Sequence, residues 1–145
     1  MTAYPETAPA PITTRLPMVG VLRTLLLTEA ALGLGLAVFL SLLAAGLRDF
    51  LGGESGLAAE TNVRFAAGAA FLFALLAAIA SRGARRRRAW AWTMAAMLQV
   101  VLAVCTGVAV IVAEWHPAYL VGFGLAAAVM LALSVASVRR ALGQA

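Results

Sequence analysis

The chain has 145 residues, 63% hydrophobic and only 12% charged, with eleven arginines, no lysine, six acids and a formal charge of +5. A soluble domain of this size cannot hide so much apolar surface, so composition excludes an ordinary water-soluble fold and indicates a polytopic membrane protein. The basic balance then reads as topogenic charge and contact with anionic headgroups, not as nucleic-acid binding.

Residues 1–17 hold four of the five prolines and read as a disordered cytoplasmic tail. A signal peptide would open with a short basic segment followed directly by its apolar core. Ala44-Ala45-Gly46 has the small residues of a cleavage site, but the apolar run before it is too long for a signal-peptide core. That run is therefore expected to remain as a signal anchor.

Four apolar stretches follow. Residues 25–47 are interrupted only by Thr28, Glu29 and Ser41, while 65–81, 89–113 and 118–138 are uncharged for 17, 25 and 21 residues. At 1.5 Å per residue each can cross a hydrocarbon core about 30 Å thick, the second only barely. Continuous runs of Ala and Leu without alternation favour helices over barrel strands. The expectation is an all-α, four-transmembrane-helix bundle filling residues 18–145, with helices near 20–47, 63–82, 89–113 and 118–139.

The connections differ in character. Residues 48–64 contain Gly52, Gly53, Ser55 and Gly56 and read as a flexible exposed loop. Glu114-Trp-His-Pro117 reads as a tight turn from which Pro117 opens the fourth helix. His116 has no ligand cluster around it in sequence, so no metal and no cofactor are expected. Cys105 stands alone in an apolar run, which excludes an intrachain disulfide and reads as a buried structural thiol.

Orientation comes from the arginines. Arg82, Arg85, Arg86, Arg87 and Arg88 fall within seven residues between two uncharged runs. With both termini inside, these five join Arg15, Arg23, Arg139 and Arg140 on the cytoplasmic side, nine against Arg48 and Arg64 outside. Short arginine-rich loops stay cytoplasmic, so a multi-pass inner-membrane protein with both termini in is expected. Trp90 and Trp92 would mark the inner interface, and Phe50, Phe65, Trp115 and Tyr119 the outer one. Topogenesis alone accounts for the arginine run, and each arginine would also add about 1 kcal/mol of attraction to anionic lipid.

A faint internal repeat pairs Phe65, Gly68 and Arg85-Arg86 with Tyr119, Gly122 and Arg139-Arg140 at equal offsets. Two like-oriented hairpins would form a parallel repeat.

Glu29 is the sharpest candidate for chemistry. It lies about a turn and a half inside the first helix, where an ionised carboxylate costs several kcal/mol unless paired or protonated. Gly33, Ala37, Ser41 and Ala45 continue its i+4 row, so another helix can approach closely. Its candidate partners are Gln99 on the third helix and Arg23 at the interface. Such an acid either locks helices together or marks a proton or cation path. Gln99 has Ala95, Ala103 and Gly107 on its own row and can donate and accept at once. Further small-residue rows are Ala66, Ala70, Ala74 and Ala78 on the second helix, and Gly124, Ala128 and Ala132 on the fourth.

Enzyme signatures are missing from the sequence. Gly53-Glu54-Ser55-Gly56 fails the spacing of a nucleophile elbow, and no HExxH, metal cluster or phosphate-cradling loop occurs. Small multidrug transporters share four helices and an acid in the first, but this chain lacks their residues around the acid and has a far more basic inner loop. The Arg-Arg-Arg-Arg-Ala-Trp-Ala-Trp run and the use of arginine without lysine resemble small four-helix integral membrane proteins of high-GC Gram-positive bacteria. That resemblance covers residues 18–145 and implies inner-membrane residence without implying an activity. The expected role is a non-enzymatic scaffold or modulator, acting as a homo-oligomer or with a membrane protein partner. The alternative is a small oligomeric transporter or channel with Glu29 as its proton- or cation-responsive group.

Overall fold

The computed structural model describes residues 17–112 and 117–144, and every regular element among them is helical. The order is α1 (Pro17–Leu51), α2 (Gly53–Arg85), α3 (Ala89–Val112), α4 (Ala118–Ser134) and α5 (Ala136–Ala141). Met18–Leu51, Gly53–Arg85 and Ala89–Ile111 are long and apolar enough to span a bilayer, and Tyr119–Ser134 is a shorter apolar helix. The chain is thus all-α, with the elements of a helical membrane bundle. Thr24, Thr28, Ser41, Thr61 and Thr106 each donate their hydroxyl to the carbonyl four residues back, at 2.7–3.1 Å. Their polarity is thereby absorbed within the helix, as an apolar solvent requires.

Two connections depart from expectation. The flexible loop over 48–64 does not form: α1 ends at Leu51, α2 begins at Gly53, and Gly52 with Gly53, both at positive φ, turns the chain. Gly52 sits at φ 64°, ψ 165°, a region open essentially only to glycine. Its carbonyl accepts the first helical bond, from Gly56 N at 3.0 Å. A Glu60–Arg64 ion pair at 2.6 Å, four residues apart, supports the new first turns. The fourth helix, expected to run unbroken to 139, stops at Ser134 because Val135 is extended at φ −63°, ψ 126°. The expected tail lies outside the described residues except for Pro17, with which α1 opens. Glu114, Trp115 and His116 also lie outside them.

The arginine turn closes α2 with a full Schellman motif. Arg88 N bonds Gly83 O at 3.1 Å and Arg87 N bonds Ala84 O at 3.0 Å. The pivot residue of this motif is usually glycine, and α5 ends the same way on Gly143 at φ 70°. In the arginine turn the pivot is Arg87, at φ 51°. Left-handed backbone costs a non-glycine residue roughly 1–2 kcal/mol. Arg87→Gly is therefore expected to stabilise the isolated bundle by about 1 kcal/mol, read as a later midpoint in denaturant titration. No gain would mean that the Arg87 side chain offsets the strain through its own interactions.

Antiparallel packing joins α1 to α2 along their lengths and α3 to α4, and the two hairpins meet through α2–α3 and α1–α4. This cyclic order leaves α1 and α3 on a diagonal. The largest fully buried side chains (Leu22, Leu26, Glu29, Gln99, Val129, Leu133) all lie toward the arginine-turn end, where Val138 and Leu142 of the α5 segment close the core. Toward the Gly52 end the buried positions are small apart from Glu60, among them Ala37, Ala44, Gly56 and Ala67. Cys105, expected buried, is exposed on α3 because the core stops short of it. The two hairpins also differ: Gly122 packs on Thr106, whereas Gly68 has nothing near it, and α2 runs unbroken where α4 does not.

Candidate functional site

Leu22, Leu26, Glu29, Ala37 and Ala44 form the buried stripe of α1, at helical spacings of three, four, seven and eight. Ala91, Ala95, Leu98 and Gln99 form that of α3. The flanking helices present small or medium side chains to the same core, namely Ala77 and Ala80 of α2 and Val129 and Ala132 of α4. Two long polar side chains on diagonal helices can therefore meet. Gln99 Nε2 donates to Glu29 Oε2 at 2.9 Å. Glu29 is 2% exposed and Gln99 1%, so the bond is screened by protein on all sides.

The pair is incompletely satisfied. Glu29 Oε1 and Gln99 Oε1 are both buried with no hydrogen-bond partner. Two acceptors without a donor is an arrangement that native interiors rarely tolerate. A proton carried on Glu29 Oε1 could donate to Gln99 Oε1, giving both oxygens a partner with no third residue involved. A small donor or cation entering between them would do the same.

Arg23 does not reach this pair. Six residues place it about 120° around α1 from Glu29, at 3.6 residues per turn. It is exposed and shares a groove with Arg82 and Arg85 of α2. Arg86, Arg87 and Arg88 are exposed in the turn. Arg139 and Arg140 lie on α5 and are exposed, donating to Gln144 O at 3.5 Å and Ala136 O at 3.3 Å.

Trp92 is less free than an interfacial marker would be. Its indole N–H donates to Leu133 O at 3.2 Å, a carbonyl released by the break at Val135. Trp90 lies over Gly83, where an added Cβ would come within 2.6 Å of the ring. The closest helix approach involving Gly33 is to Ala70 and Ala74. Of the alanine row on α2, Ala74 is buried, Ala70 and Ala78 are half-buried and Ala66 is exposed, while Ala67, Ala77 and Ala84 beside it are also buried. Ser81 is buried as well, 2% exposed, and nothing in the sequence separates it from the arginines that follow. Comparisons with protein-family models, curated proteins and solved structures found no match to this chain.

Proposed function

We propose that the chain is a non-enzymatic component of the cytoplasmic membrane, with four spans and both termini inside, that scaffolds or modulates a partner membrane protein. The observation that supports this reading is the reach of the first hairpin. Helices of 35 and 33 residues extend about 50 Å, against a hydrocarbon core about 30 Å thick. With Arg23 and Arg82 at the inner boundary, the Gly52 end projects beyond the outer one. There Phe50 is 86% exposed, with Leu51 and Leu57 about half exposed beside Asp49 and Glu54. Apolar side chains held outside the lipid on a helical arm form a docking tip rimmed by charge.

A photo-crosslinker at position 50, used in native membranes, is expected to give a discrete protein adduct. One at Phe39, 61% exposed on a lipid-facing stretch of α1, is expected to give none. The same diffuse labelling from both positions would end the scaffold reading.

A second reading is favoured by the orphan oxygens of Glu29 and Gln99. In it an oligomer moves protons or a small cation past this pair, because intramembrane acids mark such paths. One bundle is too narrow to enclose a path alone, so the oligomer is part of that reading.

A further inference from the structure

We propose that the arginine-turn end of the α1–α2 seam binds one anionic phospholipid, with its phosphate among Arg23, Arg82 and Arg85 and an acyl chain in the groove above. The site is a surface groove of about 300 Å³ lined by Arg23, Leu27, Ala78, Ser81, Arg82 and Arg85. No acidic side chain lines it, and among the described residues none of its three arginines is ion-paired. Glu29, the nearest acid on α1, is turned into the core and bonded to Gln99. Three like charges converging without a counter-charge repel one another, and an anion drawn between them removes that repulsion. Phosphate suits arginine because the guanidinium offers paired donors in a fixed fork.

What lies above the arginines favours a lipid over a free anion. Leu27 and Ala78 are shared with a second groove of about 360 Å³, whose concave surface is made by Ala30, Ala31 and Ala74. Leu34 and Phe71 stand at its far end. From Arg23 to Leu34 is eleven residues, about 16 Å along the helix, close to half of a hydrocarbon core about 30 Å thick. A charged head three arginines wide, joined to an apolar furrow one leaflet long, has the dimensions of a lipid. The leaflet assignment rests on the orientation proposed above, whereas the binding itself does not.

The test is native mass spectrometry of the purified full chain in neutral detergent, titrated with phosphatidylglycerol, phosphatidylcholine or glycerol phosphate. Phosphatidylglycerol is expected to be retained as one bound copy, and the other two are not. Arg23→Gln and Arg82→Gln should each weaken retention about fivefold. Ala78→Phe, which fills the neck between the two grooves, should weaken it without changing charge. Arg88→Gln, outside the groove, should leave it unchanged. Equal retention of phosphatidylcholine, equal loss with Arg88→Gln, or full retention in Ala78→Phe would each overturn the site. Binding of glycerol phosphate as strong as that of the lipid would reduce the site to a phosphate subsite and overturn the chain-binding half. Detergent micelles have no inside or outside, so an error in topology leaves these outcomes untouched.

Discussion

Glu29→Ala is expected to destabilise the bundle by about 2–4 kcal/mol, through a cavity in the core and an orphaned Gln99 amide. Gln99 is 1% exposed, so water cannot take over the bond that its Nε2 now makes to Glu29. Glu29→Gln should behave differently. It keeps the volume and brings two amide hydrogens, one of which can serve Gln99 Oε1, now without a partner. That variant is expected within about 1 kcal/mol of the parent, the range of measured interhelical polar bonds in membranes. Replacing both residues with leucine should recover part of what Gln99→Leu alone loses, since half of a buried polar pair is worse than none. Tryptophan fluorescence during titration with a denaturing detergent reads all four variants. Equal stability of Glu29→Ala and Glu29→Gln would remove the pair from the account of the core.

The same variants separate the two functional readings. Glu29→Gln folds in either case. If proteoliposomes of the parent carry proton or cation flux and those of Glu29→Gln do not, the transport reading replaces the scaffold. If the parent carries none, the pair is a structural tie between diagonal helices.

Gly83→Ala is expected to cost about 0.5–2 kcal/mol, although alanine is the better helix former. An added Cβ would lie 2.6 Å from the Trp90 ring and 2.9 Å from Ala91 Cβ. Ala91 is 1% exposed in the core, and Gly83 O holds Arg86 N and Arg88 N, so neither the helix nor the turn can swing aside. Overpacking of this kind costs about 1–3 kcal/mol, more than the roughly 0.5–1 kcal/mol regained from helix propensity. Trimming the ring with Trp90→Ala should relieve part of the loss in the double variant. Gly68→Ala is the control, because nothing lies within 4 Å of its position, and it should be neutral or mildly stabilising. Identical behaviour of Gly68→Ala and Gly83→Ala would show that the turn has slack.

The apolar runs and the meeting of Glu29 with Gln99 were legible because each rests on a strong local signal. Uncharged stretches of bilayer length are helices for lack of an alternative in lipid. Two polar side chains at similar depth in such helices have few partners other than each other. The rest was decided by register and tertiary packing. Gly52 and Gly53 look like loop residues, yet these two glycines with positive φ suffice to reverse the chain, and helix resumes at once. Val135 has neither glycine nor proline beside it to announce a break. The break is accompanied by packing: it frees Leu133 O for Trp92 and lets α5 bury Val138 and Leu142. Alanine is so frequent on α2 that Ala67, Ala77, Ala80 and Ala84 flank the row of Ala66, Ala70, Ala74 and Ala78, and only the partner helices select which are buried. Arg23 joins Arg82 and Arg85 because the two-glycine turn sets the hairpin register, which no motif encodes.

That turn and the break at Val135 together give the molecule an uneven outline in the bilayer. Hydrophobic length, not helix length, sets the match to a bilayer. The extra reach of the first hairpin carries Asp49, Glu54, Glu60 and Arg64 and belongs in water. The uncharged run 65–81 of α2 and the whole of α4 are each 17 residues, about 25 Å, against a hydrocarbon core about 30 Å thick. As spans, both would thin the lipid beside them or be covered by a neighbour. The protein should then gather in thinner membrane, or where a neighbour shields these two flanks.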